Sequence, residues 1–185
     1  KRYQNQIKQY EQRNSQDVFQ LYVNALATLY DPHTSYFSPR TTENFQINMS
    51  LSLEGIGAEL TIEDEYTKVV RIIPGGPADL QDILKAEDKI IGVGQDDEEI
   101  VDVVGWRLDD VVDLIRGAKD STVRLEVIPD SGEAADTTIT IAIVRDKVKL
   151  EDKSAQSKIL EIEQQGQTYK LGVIEIPAFY LDFEA

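Results

Sequence analysis

The sequence predicts an α+β protein: an N-terminal helical segment, a module of short antiparallel strands with two helices, and the start of a further strand system. Three observations carry this. Apolar residues recur at helical spacing over residues 18–30. From about residue 53 to residue 149 the pattern changes to short alternating or β-branched runs, bounded by glycine, proline and acidic turns. Within that stretch, residues 108–116 form a distinct amphipathic helix pattern.

The elements follow in order. Tyr3, Ile7 and Tyr10 lie at helical spacing in an otherwise polar start. Ser15 is placed as an N-cap, with Asp17 in the first turn. Val18, Phe19, Tyr22, Ala25, Leu26, Leu29 and Tyr30 then share one helix face, and Asp31-Pro32 ends the helix because a residue before proline avoids the helical region. Residues 31–40 read as a turn-rich connection, and residues 41–48 as a short helix with Phe45 and Met49 turned inward. Residues 56–62 alternate as a strand, and residues 68–73 form another that stops at Pro74-Gly75-Gly76-Pro77. A short helix is expected over 78–84, strands over 89–93 and 100–104, and an acidic turn at Asp96-Asp97-Glu98-Glu99. The helix at 108–116 runs into Gly117, expected as its C′ glycine. Strands at 123–128 and 137–144 pair around the turn at 129–136, and strands at 158–163 and 170–176 pair around Gln165-Gly166-Gln167. The expected division is residues 1–50, 51–149 and 150–185.

Composition narrows the partners. With 34 acidic against 19 basic residues the net charge is −15. Such a chain repels phosphate backbones and anionic lipid, so neither nucleic acid nor membrane insertion is expected. No apolar run approaches the ~20 residues that a spanning helix needs. Cysteine is absent, which excludes disulfides and thiolate metal sites. Lys1 is not a natural initiator and Ala185 follows closely on a strand-like run, so both ends are expected to be cut, with loss of any targeting signal.

Catalytic chemistry is thin. His33 is the sole histidine and stands beside Asp31, but no serine occupies a G-x-S-x-G elbow. His33 is therefore expected to cap a turn, and no catalytic residue is assigned. The run at residues 96–99 lacks the spacing of a calcium loop, so neither metal nor cofactor is expected. Gly55-Ile56-Gly57 is half of a dinucleotide fingerprint, but Leu60 stands at the third glycine position and the segment opens into a strand.

The same residues suit a different ligand. A glycine loop before a strand can turn its N–H groups toward an anion. If the following strand has an open edge, an extended peptide can add to it and place its terminal carboxylate on Gly55, Ile56, Gly57 and Ala58. The helix at 108–116 offers a second wall, with Leu108, Val112 and Ile115 on one face and Val111 and Leu114 on the next. Spacing alone favours a helix whose five apolar residues all enter the core. The glycine loop upstream favours a groove, with Leu60 on the strand side.

The stretch Met49-Ser50-Leu51-Ser52-Leu53-Glu54-Gly55-Ile56-Gly57-Ala58 resembles the start of the PDZ domain in carboxyl-terminal processing (tail-specific, Prc-like) proteases. Four further blocks resemble the same family in order. These are Asp31 to Pro39 (DPHTSYFSP), Gly75-Gly76-Pro77-Ala78, Asp88 to Gly94 (DKIIGVG) and Gly105 to Val112 (GWRLDDVV). The resemblance implies a circularly permuted PDZ domain that reads apolar C-termini of protein substrates, in a periplasmic serine endopeptidase with a Ser/Lys pair. The family's G-S-A-S-type nucleophile segment is absent from these 185 residues. The resemblance therefore places the catalytic pair beyond Ala185 and implies that this chain is inert alone. A non-enzymatic adaptor built on the same domain is the alternative. The accessory partner is unknown.

Overall fold

The structure, a computed structural model, describes residues 3, 7, 10–130, 137–164 and 166–181. It divides into two compact units, Lys1–Ser50 and Leu51–Ala185.

The first unit holds helices α1 (Ser15–Tyr30) and α2 (Pro39–Ser50). The N-cap of α1 is Asn14 rather than Ser15. Its side chain accepts from the Asp17 amide while the Asp17 carboxylate accepts from the Asn14 amide, each at 3.0 Å. This reciprocal box uses two of the amides that a helix start leaves unpaired. Asp31 ends α1 in an extended conformation, as Pro32 requires. The connection is then zipped to α1 by side chains. Asn24 exchanges hydrogen bonds with the backbone of Tyr36 (2.6 and 3.1 Å), and Gln20 Oε1 accepts from the Ser38 amide (2.8 Å) and the Thr41 hydroxyl (2.9 Å). Phe45 is not turned inward: it stays about half exposed and packs against Phe37, ring centroids 5.5 Å apart. The expected helix before Asn14 falls mostly outside the described residues.

In the second unit a six-stranded sheet has the path β2 (Ala58–Glu63), β3 (Tyr66–Ile72), β4 (Lys89–Gln95), β6 (Thr122–Ile128), β7 (Ile139–Val144), with β5 (Val101–Asp102) also on β4. All pairings are antiparallel. Helices α3 (Pro77–Gln81) and α4 (Leu108–Ile115) complete the module. The core is formed by alternate residues of the strands, among them Val69, Ile90, Val93, Val123, Leu125, Val127, Ile141 and Ile143, closed by Val111 and Ile115 of α4. The buried–half-buried alternation of β6 is the period-2 pattern of a sheet face packed on a core.

Two strands went unread in the sequence. β1 (Ser52–Gly55) and β8 (Asp146–Lys149) pair with each other, Leu53 opposite Val148 and Gly55 opposite Asp146. Each is short, and each finds its partner about a hundred residues away. β9 (Gln156–Gln164) and β10 (Gln167–Glu175) then form a hairpin. Part of the expected turn at 129–136 and the middle of the one at 165–167 lie outside the described residues.

Candidate functional site

The glycine loop is shorter than the sequence suggests. Gly55 belongs to β1 and Ala58 to β2, leaving Ile56 and Gly57 as the turn between them. Two carbonyls anchor it from the far side: the Ala78 amide donates to Ile56 O and the Ile73 amide to Gly57 O, both at 2.8 Å. The Pro74-Gly75-Gly76-Pro77 breaker thus becomes the support of the loop.

Gly57 has φ +77°, which disfavours any Cβ, and a Cβ there would lie 3.1 Å from the Gly76 Cα. Gly57→Ala is therefore expected to destabilise the fold by about 1–3 kcal/mol, read as a lowered urea midpoint. An unchanged midpoint would mean that the loop does not hold this conformation in solution. Valine at this position, with Val148 methyls also nearby, should unfold the domain more than it reports on binding.

The anchored carbonyls leave the amides facing elsewhere. Ile56 and Gly57 are buried, yet neither N–H has a hydrogen-bond partner among the described residues. Two successive N–H groups without a partner in the described chain are left to an acceptor from outside it. Ala58 extends the series. Because Gly57 bonds to Ile73 across the ladder, the next residue, opposite Ile72, turns its own N–H and C=O to the other edge. That edge is open, since among the described residues β2 pairs with β3 alone.

Helix α4 runs antiparallel to β2. Its lead-in is held at the β2–β3 turn by the Gly105 amide, which donates to Glu65 O at 2.7 Å. Its other end reaches the loop, where the Arg116 side-chain stem comes 3.8 Å from the site of a Gly55 Cβ. The apolar face divides by depth. Val111 and Ile115 enter the core, Ile115 only 3% exposed, while Leu108 and Val112 stay half-buried. Leu60 and Ala58 pack partly buried on the same core. Of the three helix residues expected to line a groove, Leu108 and Val112 keep part of their surface exposed and Ile115 is in the core.

Charge around the site is mixed. Asp109, Asp110 and Asp113 lie on α4, with Arg107 pairing to Asp109 at 3.5 Å. At the loop end Lys119 donates to Asp146, opposite Gly55, at 2.7 Å. This hydrogen bond holds the Asp146 carboxyl below its usual range and raises the Lys119 ammonium. Spacing did not single out Arg116, whose side-chain stem lies beside the loop. Its signal was its place directly after the groove helix, legible only once helix and loop are known to meet.

His33 plays a smaller part than expected. The turn cap is the Asp31 carboxylate, which accepts from the His33 amide (3.0 Å) and the Thr34 hydroxyl (2.5 Å). These hydrogen bonds lower the Asp31 pKa. In the acidic turn, Asp96 Oδ1 accepts from the Thr122 amide at 3.0 Å, so this carboxylate braces the sheet end.

Comparison with known proteins matches residues 1–40 to the tail specific protease N-terminal domain and residues 44–128 to the PDZ domain. The tail-specific protease of Haemophilus influenzae is 44% identical over 181 residues, 98% of this chain and 25% of that protein. The carboxy-terminal processing protease CtpA of Bacillus subtilis is 32% identical over 133 residues, 72% of this chain and 26% of that one. The chain thus spans about a quarter of these relatives. Among solved structures, the PDZ domain of the carboxy-terminal protease from Vibrio cholerae, determined in complex with a peptide, is 54% identical. It superposes with a TM-score of 0.51 and covers 54% of this chain and all of that one. The photosystem II D1 C-terminal processing protease gives 0.50 at 26% identity, covering 81% of this chain and 39% of that one.

Proposed function

The chain belongs to the carboxyl-terminal processing (tail-specific) protease family, and we propose that it is the substrate-reading part, with residues 51–149 binding free, apolar C-termini of polypeptides. One observation carries this reading: the open edge of β2 begins at two successive amides without partners among the described residues, beside a helix that keeps Leu108 and Val112 half-buried. A tail that pairs antiparallel to β2 brings its carboxylate to the amides of Ile56, Gly57 and Ala58. Its last side chain meets Leu60, Val112 and, beneath them, Ile115. Arg116 adds positive potential at the same end. The Vibrio cholerae domain, solved in complex with a peptide, supports a peptide ligand for this domain.

Titration of the isotope-labelled chain with a decapeptide ending in valine tests it. The amide resonances of Ile56, Gly57 and Ala58 should move most. Saturable binding that leaves these three unmoved would place the site elsewhere.

For the whole protein the proposal is a periplasmic endopeptidase with a Ser/Lys pair, to which capture of the tail delivers substrate. Residues 150–185 would begin its catalytic core. The β9–β10 hairpin supports this, since Ile159, Leu160, Ile162, Tyr169, Leu171 and Ile174 are exposed on both faces of two strands. A two-stranded hairpin of that kind requires cover to be stable. These 185 residues contain no G-S-A-S-type segment, so no hydrolysis of an unfolded, apolar-tailed protein is expected from them. Mass spectrometry of the incubated substrate checks this, and discrete cleavage products from pure protein would overturn it.

A further inference from the structure

Arg145 occupies the corner between β7 and β8 and is only 2% exposed. Among the described residues no carboxylate accepts a hydrogen bond from its side chain. Nε donates to Ile115 O (2.8 Å), Nη2 to Leu114 O (3.0 Å) and to Gln95 Oε1 (2.5 Å), and Nη1 to Ser121 Oγ (2.8 Å). Gln95 completes the ring, its Nε2 donating to Leu114 O at 2.8 Å. The main chain of Arg145 is fixed as well, its amide donating to Ser121 O and its carbonyl accepting from Asp120.

The last carbonyls of a helix lack intrahelical partners and carry its negative end. Helix α4 has no basic residue in its own last turn. A guanidinium from the sheet supplies both the donors and the charge, and its planar fork reaches two successive carbonyls where an ammonium could not. Gly117 is explained by the same seat. Its expected role as a left-handed C′ glycine does not hold, because α4 ends on Arg116 in an extended conformation and Gly117 is not among the positive-φ glycines. A Cβ at Gly117 would lie 2.9 Å from Arg145 Cζ, so the residue is small to admit the guanidinium.

The next residue along the chain reaches the other wall. Asp146 opens β8 opposite Gly55, and the Val148 methyls lie 3.5 and 3.6 Å from the site of a Gly57 Cβ. One residue therefore ties the end of α4 on its side chain and the strand under the carboxylate loop on its main chain.

We propose that Arg145, assisted by Gln95, is a positioning residue that fixes the end of α4 relative to the Gly55–Ala58 loop and so sets how sharply the groove discriminates terminal side chains. This rests on the peptide-capture reading. The test uses the intact chain with the variants Arg145→Lys and Gln95→Ala, the second removing two bonds of the ring while leaving the buried cation and its bonds to Ser121 and α4. Dissociation constants are measured by calorimetry for free-acid peptides ending in alanine, valine, leucine and phenylalanine, below the thermal transition of each variant. Hydrogen exchange is followed across residues 112–117.

The expected result is a loss of about tenfold for the preferred tail, as befits one or two lost hydrogen bonds, and little change for the poorest. The ratio between them flattens, and exchange at Arg116, whose amide bonds to Val112 O, accelerates. A merely structural role would shift the unfolding midpoint and leave the ratio of the folded protein intact. An unchanged ratio in folded Gln95→Ala, or in both variants, overturns the role of Arg145. Absence of binding by the unaltered protein would instead sink the peptide-capture reading and this role with it.

Discussion

Amidating the C-terminus of an apolar-tailed peptide is expected to weaken its binding ten- to a hundredfold. The loop offers donors only: the amides of Ile56, Gly57 and Ala58, with the Arg116 side chain alongside. A carboxylate meets all of them with lone pairs and a full charge. A carboxamide loses the charge and turns an NH2 toward at least one N–H. A hydrogen bond to a charged group contributes about 1.5–3 kcal/mol, and each 1.4 kcal/mol is a factor of ten. The rest of the tail, held by β2 and by Leu108 and Val112, is unaffected, so the amide should still bind weakly at the same place. Calorimetry with the two peptides at one salt concentration measures the difference. Equal affinities would mean that the groove does not read chain ends.

How much of this was legible in the sequence depended on the reach of each interaction. Helix α4 was read to within one residue, because Leu108, Val111, Val112 and Ile115 announce a helix face locally. The division of that face was not legible, since whether Ile115 or Val112 enters the core depends on what strands lie beneath. The glycine loop was recognisable from Gly55-Ile56-Gly57 and the strand that follows. Its support was not, because Ile73 and Ala78 approach it through a turn and bond to carbonyls that the loop's own sequence does not reveal. The β1–β8 ribbon is short and closes a long loop, so no window of sequence contains both partners. Arg145 gave no signal for a related reason. A lone arginine after an alternating strand reads as a solvated turn residue, and only the folded chain shows that the last carbonyls of α4 arrive beside it.

Replacing the terminal valine of a bound tail by aspartate is expected to reduce affinity more than a hundredfold, the larger of the two effects. The side chain that follows the carboxylate into the groove meets Leu60, Val112 and, beneath them, Ile115, none of which can pair with a charge. An ionised group moved from water into apolar surroundings without a partner loses several kcal/mol of solvation. Asp109, Asp110 and Asp113 on the same helix add repulsion, and the chain's net charge of −15 adds more at low salt. Arg116 does not rescue the aspartate, because it lies at the loop end, where the terminal carboxylate competes for it. Val112→Lys supplies the missing partner at a half-buried position on the helix wall. In that variant the valine-to-aspartate ratio should fall by at least about tenfold, through gain for aspartate as well as loss for valine. The four dissociation constants close a cycle. Additive effects, with aspartate no better on Val112→Lys than on the unaltered chain, would mean that Val112 does not face the last side chain and that the tail lies elsewhere along β2.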